Sequence, residues 1–449
     1  MSNTAVYKKL LLALVLGLTF FSVTSFYFTT QQALLIGTIA MLVTLWSNVG
    51  LPLGIVSLLP IILFPAFEIL STKATTMNYA HPIIFLFLGG FLIAIAVEKS
   101  NLHRYIASKM LATFPSTPRG VIFSLTISSG LLSSFLSNTA TSLLLIPIAI
   151  FLSDNKALKM RFVLAVAYGA SVGGILTPIG TPPNLILFGF LQDNAIASVG
   201  FVKWMYLVAP LVFAMMMVVS SLLSLGVKDL VIEKYEYKEK LNQSQKNILY
   251  VLGALIVTLL LNSAIEPYWS GLGFSEALIM LSFGVILFIP PFRELDWAED
   301  RGKIPFEIIF LFGAGFSIAK AFGATGLAHD IALLLLDLTT LPPIILLVSV
   351  ALLVTFTTEI TSNTALISII LPIIYSVSQQ SSIDATLFLM VATVCASYAF
   401  MLPIATAPNA IAMSSGVVDV KTMARYGVFL NIVGVALVVT IATLFWEVS

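Results

Sequence analysis

The sequence predicts an all-α polytopic membrane protein with about eleven transmembrane helices and two re-entrant hairpins, arranged as inverted-topology repeats. Three observations carry the prediction. The 449 residues are 59% hydrophobic and only 10% charged, with a mean hydropathy of +1.05, whereas soluble domains carry about 25% charged residues. Apolar runs long enough for about 30 Å of hydrocarbon recur along the whole chain. Finally, one phrase of polar and proline residues, costly in lipid, occurs twice: Ser137-Asn138-Thr139-Ala140 and Ser362-Asn363-Thr364-Ala365 start 225 positions apart.

In chain order, the first span is Leu10 to Phe28, preceded by Lys8-Lys9. It is longer than a signal-peptide core and lacks a clean small-x-small site, so residues 1–28 are read as a retained extra helix. A first repeat covers 29–227, with spans at Ala33 to Trp46, Leu51 to Phe67, Ile83 to Val97, Phe162 to Phe190 and Tyr206 to Gly226. The most polar stretch, 228–247, is a connector. A second repeat, 248–449, holds spans at Ile248 to Leu261, Ala277 to Ile289, Phe306 to Ala319, Thr386 to Met413 and Tyr426 to Trp446. The stretches 121–152 and 341–376 carry Ser-Asn-Thr at their midpoints and are read as re-entrant hairpins, while 162–190 and 386–413 are read as broken helices.

The repeat runs well beyond the triplets. Phe87-Leu88-Gly89-Gly90-Phe91 aligns with Phe312-Gly313-Ala314-Gly315-Phe316, and Pro178, Thr181, Pro183 and Asn184 align with Pro403, Thr406, Pro408 and Asn409, all in one gap-free register. Five crossings separate the triplets. An odd number turns the second unit upside down.

Charge placement supports this count. With the N-terminus inside, nineteen of the 22 basic residues fall in cytoplasmic segments and only Lys73, Lys203 and Lys320 outside. The C-terminus then lies outside. One cysteine, Cys395, excludes an internal disulfide, and His81, His103 and His329 have no zinc-site spacing. No nucleophile–base pair or metal cluster suggests an enzyme.

Proline inside a span removes a backbone donor and frees upstream carbonyls. Those carbonyls, with Ser, Thr and Asn oxygens, are hard ligands suited to Na⁺, while the restarting half-helices offer unpaired N–H groups and positive dipole ends to an anion. No Lys or Arg lies in either hairpin or in 177–184 or 402–409. An anionic substrate would therefore lean on bound cations and helix termini, which predicts ion-coupled transport. Glu359, the one carboxylate beside a motif, supports the second cation site or hydrogen-bonds the hairpin backbone.

These residues closely resemble the divalent anion:Na⁺ symporters, the INDY-type carriers of dicarboxylates, citrate and sulfate. Both hairpins carry Ser-Asn-Thr there too, and the partner helices carry Gly-Ser/Thr-x-Pro-Asn and Ala-Thr-Pro-Pro-Asn breaks. The resemblance covers essentially the whole chain. It implies a homodimer held by scaffold domains and an elevator motion of each transport domain. It places a first Na⁺ site at Ser133, Ser137, Asn138 and the Gly180 backbone, and a second at Thr358, Thr361, Asn363 and the Ala405 backbone. Substrate carboxylates would meet Ser137, Asn138, Thr139, Thr181, Ser362, Asn363, Thr364 and Thr406. Ala407 stands where the family often has proline, and Thr361 where it often has alanine. The expectation is a Na⁺-coupled importer of C4 dicarboxylates such as succinate, malate or fumarate, multi-pass in a bacterial inner membrane. The alternative is a dicarboxylate exchanger, or a citrate or sulfate carrier on the same scaffold. No cofactor beyond Na⁺ and no nucleic-acid partner is expected.

Overall fold

The structure, a computed structural model, describes residues 3–48, 50–196, 199–227, 240–263, 268–335, 341–380 and 384–446. Most of the predicted connector, 228–239, lies outside the described residues. The first half runs through α1 (Asn3–Thr24), α2 (Thr30–Asn48), α3 (Leu53–Ala66), α4 (Thr72–Met77), α5 (Pro82–Lys99), α6 (Leu102–Thr113), α7 (Pro118–Ser133), α8 (Asn138–Phe151), α9 (Lys156–Gly173), α10 (Pro182–Asp193) and α11 (Phe201–Leu223). The second half runs through α12 (Gln243–Asn262), α13 (Glu276–Ile286), α14 (Trp297–Asp300), α15 (Phe306–Ala324), α16 (Leu327–Leu335), α17 (Pro343–Thr357), α18 (Asn363–Gln379), α19 (Ala385–Ala396), α20 (Ala407–Ser414) and α21 (Val420–Phe445). Seven helical stretches among the described residues are long and apolar enough to cross a membrane. Six further apolar helices, α3, α8, α13, α17, α18 and α19, are shorter.

The helix starts keep the sequence register. Thr72 and Trp297, Pro118 and Pro343, Asn138 and Asn363, and Pro182 and Ala407 open matching helices, each pair 225 apart. Local chemistry explains the starts. Proline at the first helical position has the right φ and no orphan N–H, which suits α7, α10 and α17. Ser137 caps α8 by accepting from the Ala140 amide at 3.1 Å.

Packing between the halves is exchanged, as expected for two copies about a pseudo-twofold axis. α5 packs on α13 while α3 packs on α15, and α10 packs on α18 while α20 packs on α8; within each half, α7 meets α11 and α17 meets α21. The larger core cluster gathers α7–α11 and α17–α21 around Tyr168, Trp204 and Phe400 and continues into α5, α12, α13 and Phe312 and Phe316 of α15, and a smaller one joins α2, α3 and the rest of α15 around Phe64 and Phe322. α1 pairs with α2 and leaves Leu11, Leu14 and Leu18 exposed, as a lipid-facing helix would.

At one end, the buried carboxylate of Asp300 joins α14 to α5. It receives Lys99 Nζ at 2.7 Å, Lys303 Nζ at 2.9 Å and the Asp296 amide at 2.9 Å. Burial pushes the Asp300 carboxyl up, but those donors together hold it at about 2.

Candidate functional site

Both repeats converge on one cavity of about 460 Å³. The α7–α8 turn supplies Ser137, Asn138 and Thr139, and the α17–α18 turn supplies Thr361, Ser362, Asn363 and Thr364. The stretch between α9 and α10 supplies Gly180 and Thr181, and the one between α19 and α20 supplies Ala405 and Thr406. Every predicted substrate-side residue therefore lines the same space. Ser133 and Thr358 are fully buried just behind it. The far wall is Trp46 and Ser47 of α2, Phe87, Gly90, Phe91 and Ala94 of α5, and Ile308 of α15. Among the described residues, no charged side chain lines the cavity.

Four helices begin at this cavity: α8, α10, α18 and α20. Their first turns hold backbone N–H groups with no partner inside the helix, fewer in α10 and α20, where Pro182, Pro183 and Pro408 carry none, and the dipoles add positive potential at one place. Thr181 and Ser362 make no capping bond through their hydroxyls, and Thr406 makes only a long one, 3.4 Å from the Asn409 amide. Those donors and hydroxyls are free to meet carboxylate oxygens.

Behind each turn the two repeats build the same hydroxyl–asparagine pair, with different carbonyl neighbours. Ser133 Oγ lies 2.6 Å from the Asn138 side-chain amide, and Thr358 Oγ1 lies 2.6 Å from that of Asn363. The same Asn138 amide atom is 3.3 Å from the carbonyl oxygens of both Ala170 and Gly180. Without a cation between them, the amide nitrogen would turn there and share its two hydrogens among the three oxygens. With one, the amide oxygen completes a cage of four oxygens, the donor set a hard cation takes. Thr358 Oγ1 also donates to the Ala396 carbonyl at 2.8 Å, and Thr361 Oγ1 to Thr357 at 2.9 Å. Among the described residues, no group of three or more His, Cys, Asp or Glu could hold a metal ion.

The asparagines of the Pro-Asn breaks have a different task. Asn184 Nδ2 donates to the carbonyls of Thr177 at 2.9 Å and Ile175 at 3.3 Å; Asn409 Nδ2 donates to Ala399 at 2.9 Å and Leu402 at 3.1 Å. Each satisfies carbonyls released where the incoming half-helix ends, so the break is a defined shape rather than a loose one.

Glu359 belongs to the same scaffolding. Its buried carboxylate accepts from the amides of Phe400 at 2.8 Å, Met401 at 2.9 Å and Leu402 at 3.0 Å, and from Asn431 Nδ2 at 2.7 Å. It ties the second hairpin to the second break and to α21. In the first repeat the equivalent residue is Ser134, whose carbonyl accepts from Thr177 Oγ1. Sequence reasoning missed Asn431, Trp46 and Ile308, none of which belongs to a motif.

A cavity shared by two helix-break pairs, within an apolar helical bundle, defines a multi-pass membrane transporter. The sequence profile of the citrate transporter family, CitMHS, matches residues 39–395. The chain belongs to this family, and with it to the divalent anion:Na⁺ symporters that its motifs resemble. It is 30% identical to the sodium-dependent dicarboxylate transporter SdcS of Staphylococcus saprophyticus over 96% of this chain and 90% of that protein. The protein of the same name from Staphylococcus aureus is 29% identical over the same shares. In fold, the chain is similar to the MtrF antimetabolite efflux pump of Neisseria gonorrhoeae, with a TM-score of 0.61, 16% identity and coverage of 94% and 97% of the two chains. It is also similar to the YdaH transporter of Alcanivorax borkumensis, with a TM-score of 0.53, 17% identity and coverage of 83% and 87%.

Proposed function

We propose that this transporter imports di- or tricarboxylate anions, C4 dicarboxylates such as succinate, malate and fumarate foremost, coupled to Na⁺. The observation that carries the reading is the uncharged cavity where four helix N-termini and both Ser-Asn-Thr turns meet. Helix ends supply only partial charges, equivalent to about half an elementary charge each. A divalent anion in an uncharged pocket needs full positive charge nearby, and the corners at Asn138 and Asn363 are where Na⁺ would provide it. Each corner pairs a hydroxyl with an asparagine amide, Ser133 with Asn138 and Thr358 with Asn363, and both asparagines line one space, which supports a ligand with a carboxylate at each end. The named activity of the SdcS relatives agrees.

The wall residues also favour one state of an elevator cycle. Trp46 and Ser47 end α2, Phe91 and Ala94 lie in the later half of α5, and Ile308 is in the first turn of α15. With the N-terminus cytoplasmic, as the basic residues favour, these are all cytoplasmic ends. The cavity then opens inward, and a homodimer in the inner membrane would carry each α7–α11 and α17–α21 unit across against a fixed wall.

Uptake of labelled succinate into proteoliposomes, with and without an inward Na⁺ gradient, tests the proposal. Gradient-driven accumulation is expected; equal uptake in both conditions would reject Na⁺ coupling, and no competition by any dicarboxylate would reject the substrate class.

A further inference from the structure

Although the repeats match in register, one pair of their aromatic residues sits in different surroundings. Phe91 of α5 lines the cavity, whereas its counterpart 225 residues on, Phe316 of α15, is only 2% exposed. Phe316 is held from two sides. The ring of His81 lies 4.5 Å from it, and Gly189 of α10 approaches so closely that a Cβ there would sit 2.3 Å from the Phe316 ring. Only a glycine lets α10 lie this near.

His81 completes the contact. Its Nδ1 accepts from the Ile83 amide at 3.3 Å, capping α5, so the ring proton resides on Nε2. Nε2 then donates to Asp193 Oδ1 at 3.1 Å, and Asp193 is the last residue of α10. The repeat equivalents of His81 and Asp193 are Phe306 and Val418, which can form no such bond. The contact exists at one end of the molecule alone, opposite the wall residues around which the cavity opens.

We propose that His81, Phe316, Gly189 and Asp193 form a one-sided latch at the outer end, which biases the resting carrier toward the inward-facing state. This rests on the elevator reading above. α10 starts at the site directly after Thr181, whereas His81 caps α5 and Phe316 lies in α15, the two helices that contribute to the wall. Moving the site outward must pull Asp193 from His81 and Gly189 from Phe316. The symmetrical partner positions offer no compensating bond, so the two end states differ in free energy by about the worth of these contacts.

The test places a reporter thiol in the cavity through Ala407→Cys; the native thiol of Cys395 is fully buried. Labelling by a membrane-impermeant maleimide is timed in right-side-out and inside-out vesicles with Na⁺ and no substrate. The parent is expected to label faster from the cytoplasmic side. Asp193→Ala, which removes the acceptor of the His81 bond, and Gly189→Ala, each checked for a monodisperse elution profile, should raise the external labelling rate about two- to fivefold, the scale of one partly exposed polar pair. His81→Phe with Asp193→Ala should raise it no further than the larger single change. Unchanged external rates in both Asp193→Ala and Gly189→Ala would overturn the latch, as would a parent that labels faster from outside. Failure of succinate uptake with these rate changes intact would instead count against the substrate reading and leave the latch standing.

Discussion

Glu359 is where stability and ion binding can be separated by one pair of substitutions. Its carboxylate satisfies four buried donors: three consecutive amides at 400–402 and the Asn431 side chain. Glu359→Ala would orphan all four at about 1–3 kcal/mol each, so the cost is on the order of 4–10 kcal/mol even after some relief from no longer burying a charge. That approaches the whole stability of a typical domain, roughly 5–15 kcal/mol, and the variant should not be recovered as a folded protein. Glu359→Gln is milder. The Phe400, Met401 and Asn431 donors all point at Oε1, which glutamine retains; only the Leu402 amide, now facing an NH₂ group, loses its acceptor. The expected cost is about 1–3 kcal/mol, a fall of a few degrees in Tm. The assay is thermal unfolding in detergent at several Na⁺ concentrations, beside Na⁺-activation curves for uptake. A brace predicts a lower Tm at every Na⁺ concentration and little change in the concentration for half-maximal uptake. A Glu359→Gln protein with unchanged Tm and a tenfold weaker Na⁺ response would refute the bracing argument and make the carboxylate part of the cation site.

Three further outcomes are expected. Asn138→Ala and Asn363→Ala each remove one amide from an oxygen-rich corner; uptake should fall below detection while Na⁺-dependent thermal stabilisation drops by about half, and retained uptake in either would remove that corner from the mechanism. Gly180→Ala would set a Cβ 2.4 Å from the Gly174 carbonyl oxygen and should disable transport, whereas Ala405→Gly at the equivalent place should leave a folded protein, which uptake and size-exclusion profiles will distinguish. Asp300, with its folded value held at about 2, contributes stability above the ordinary carboxylate range that fades as pH falls toward 2; Asp300→Asn should lower Tm at pH 7 and flatten its acid dependence between roughly pH 4 and 2, and a parallel acid profile would argue against this role.

How much of this was legible beforehand follows from where each signal resides. The Ser-Asn-Thr turns, the proline-led restarts and the common offset are local chemistry written along the chain, and helices duly start at Pro118, Asn138, Pro182 and their partners. The short α4 and α14 went unseen because six and four residues of mixed polarity carry no period. Glu359 stood out as a lone acid, but nothing in its neighbourhood pointed to Asn431, 72 positions away.

By itself, then, the sequence determined the class of protein, the internal duplication and the residues that turn toward a site, because lipid makes each uncompensated polar group costly and a duplicated motif preserves its spacing. Only the tertiary structure decided that both motifs share a single cavity, that Trp46 and Ile308 wall it, and that Asn184, Asn409 and Glu359 hold the breaks open. The pairing of His81 with Asp193 was likewise invisible. The bonds of Asn184 and Asn409 span only seven to ten positions but close a break whose shape the packing sets, while those of Glu359 and His81 join residues 41 and 112 positions apart, and which of them meet depends on how two inverted copies exchange helices when they pack.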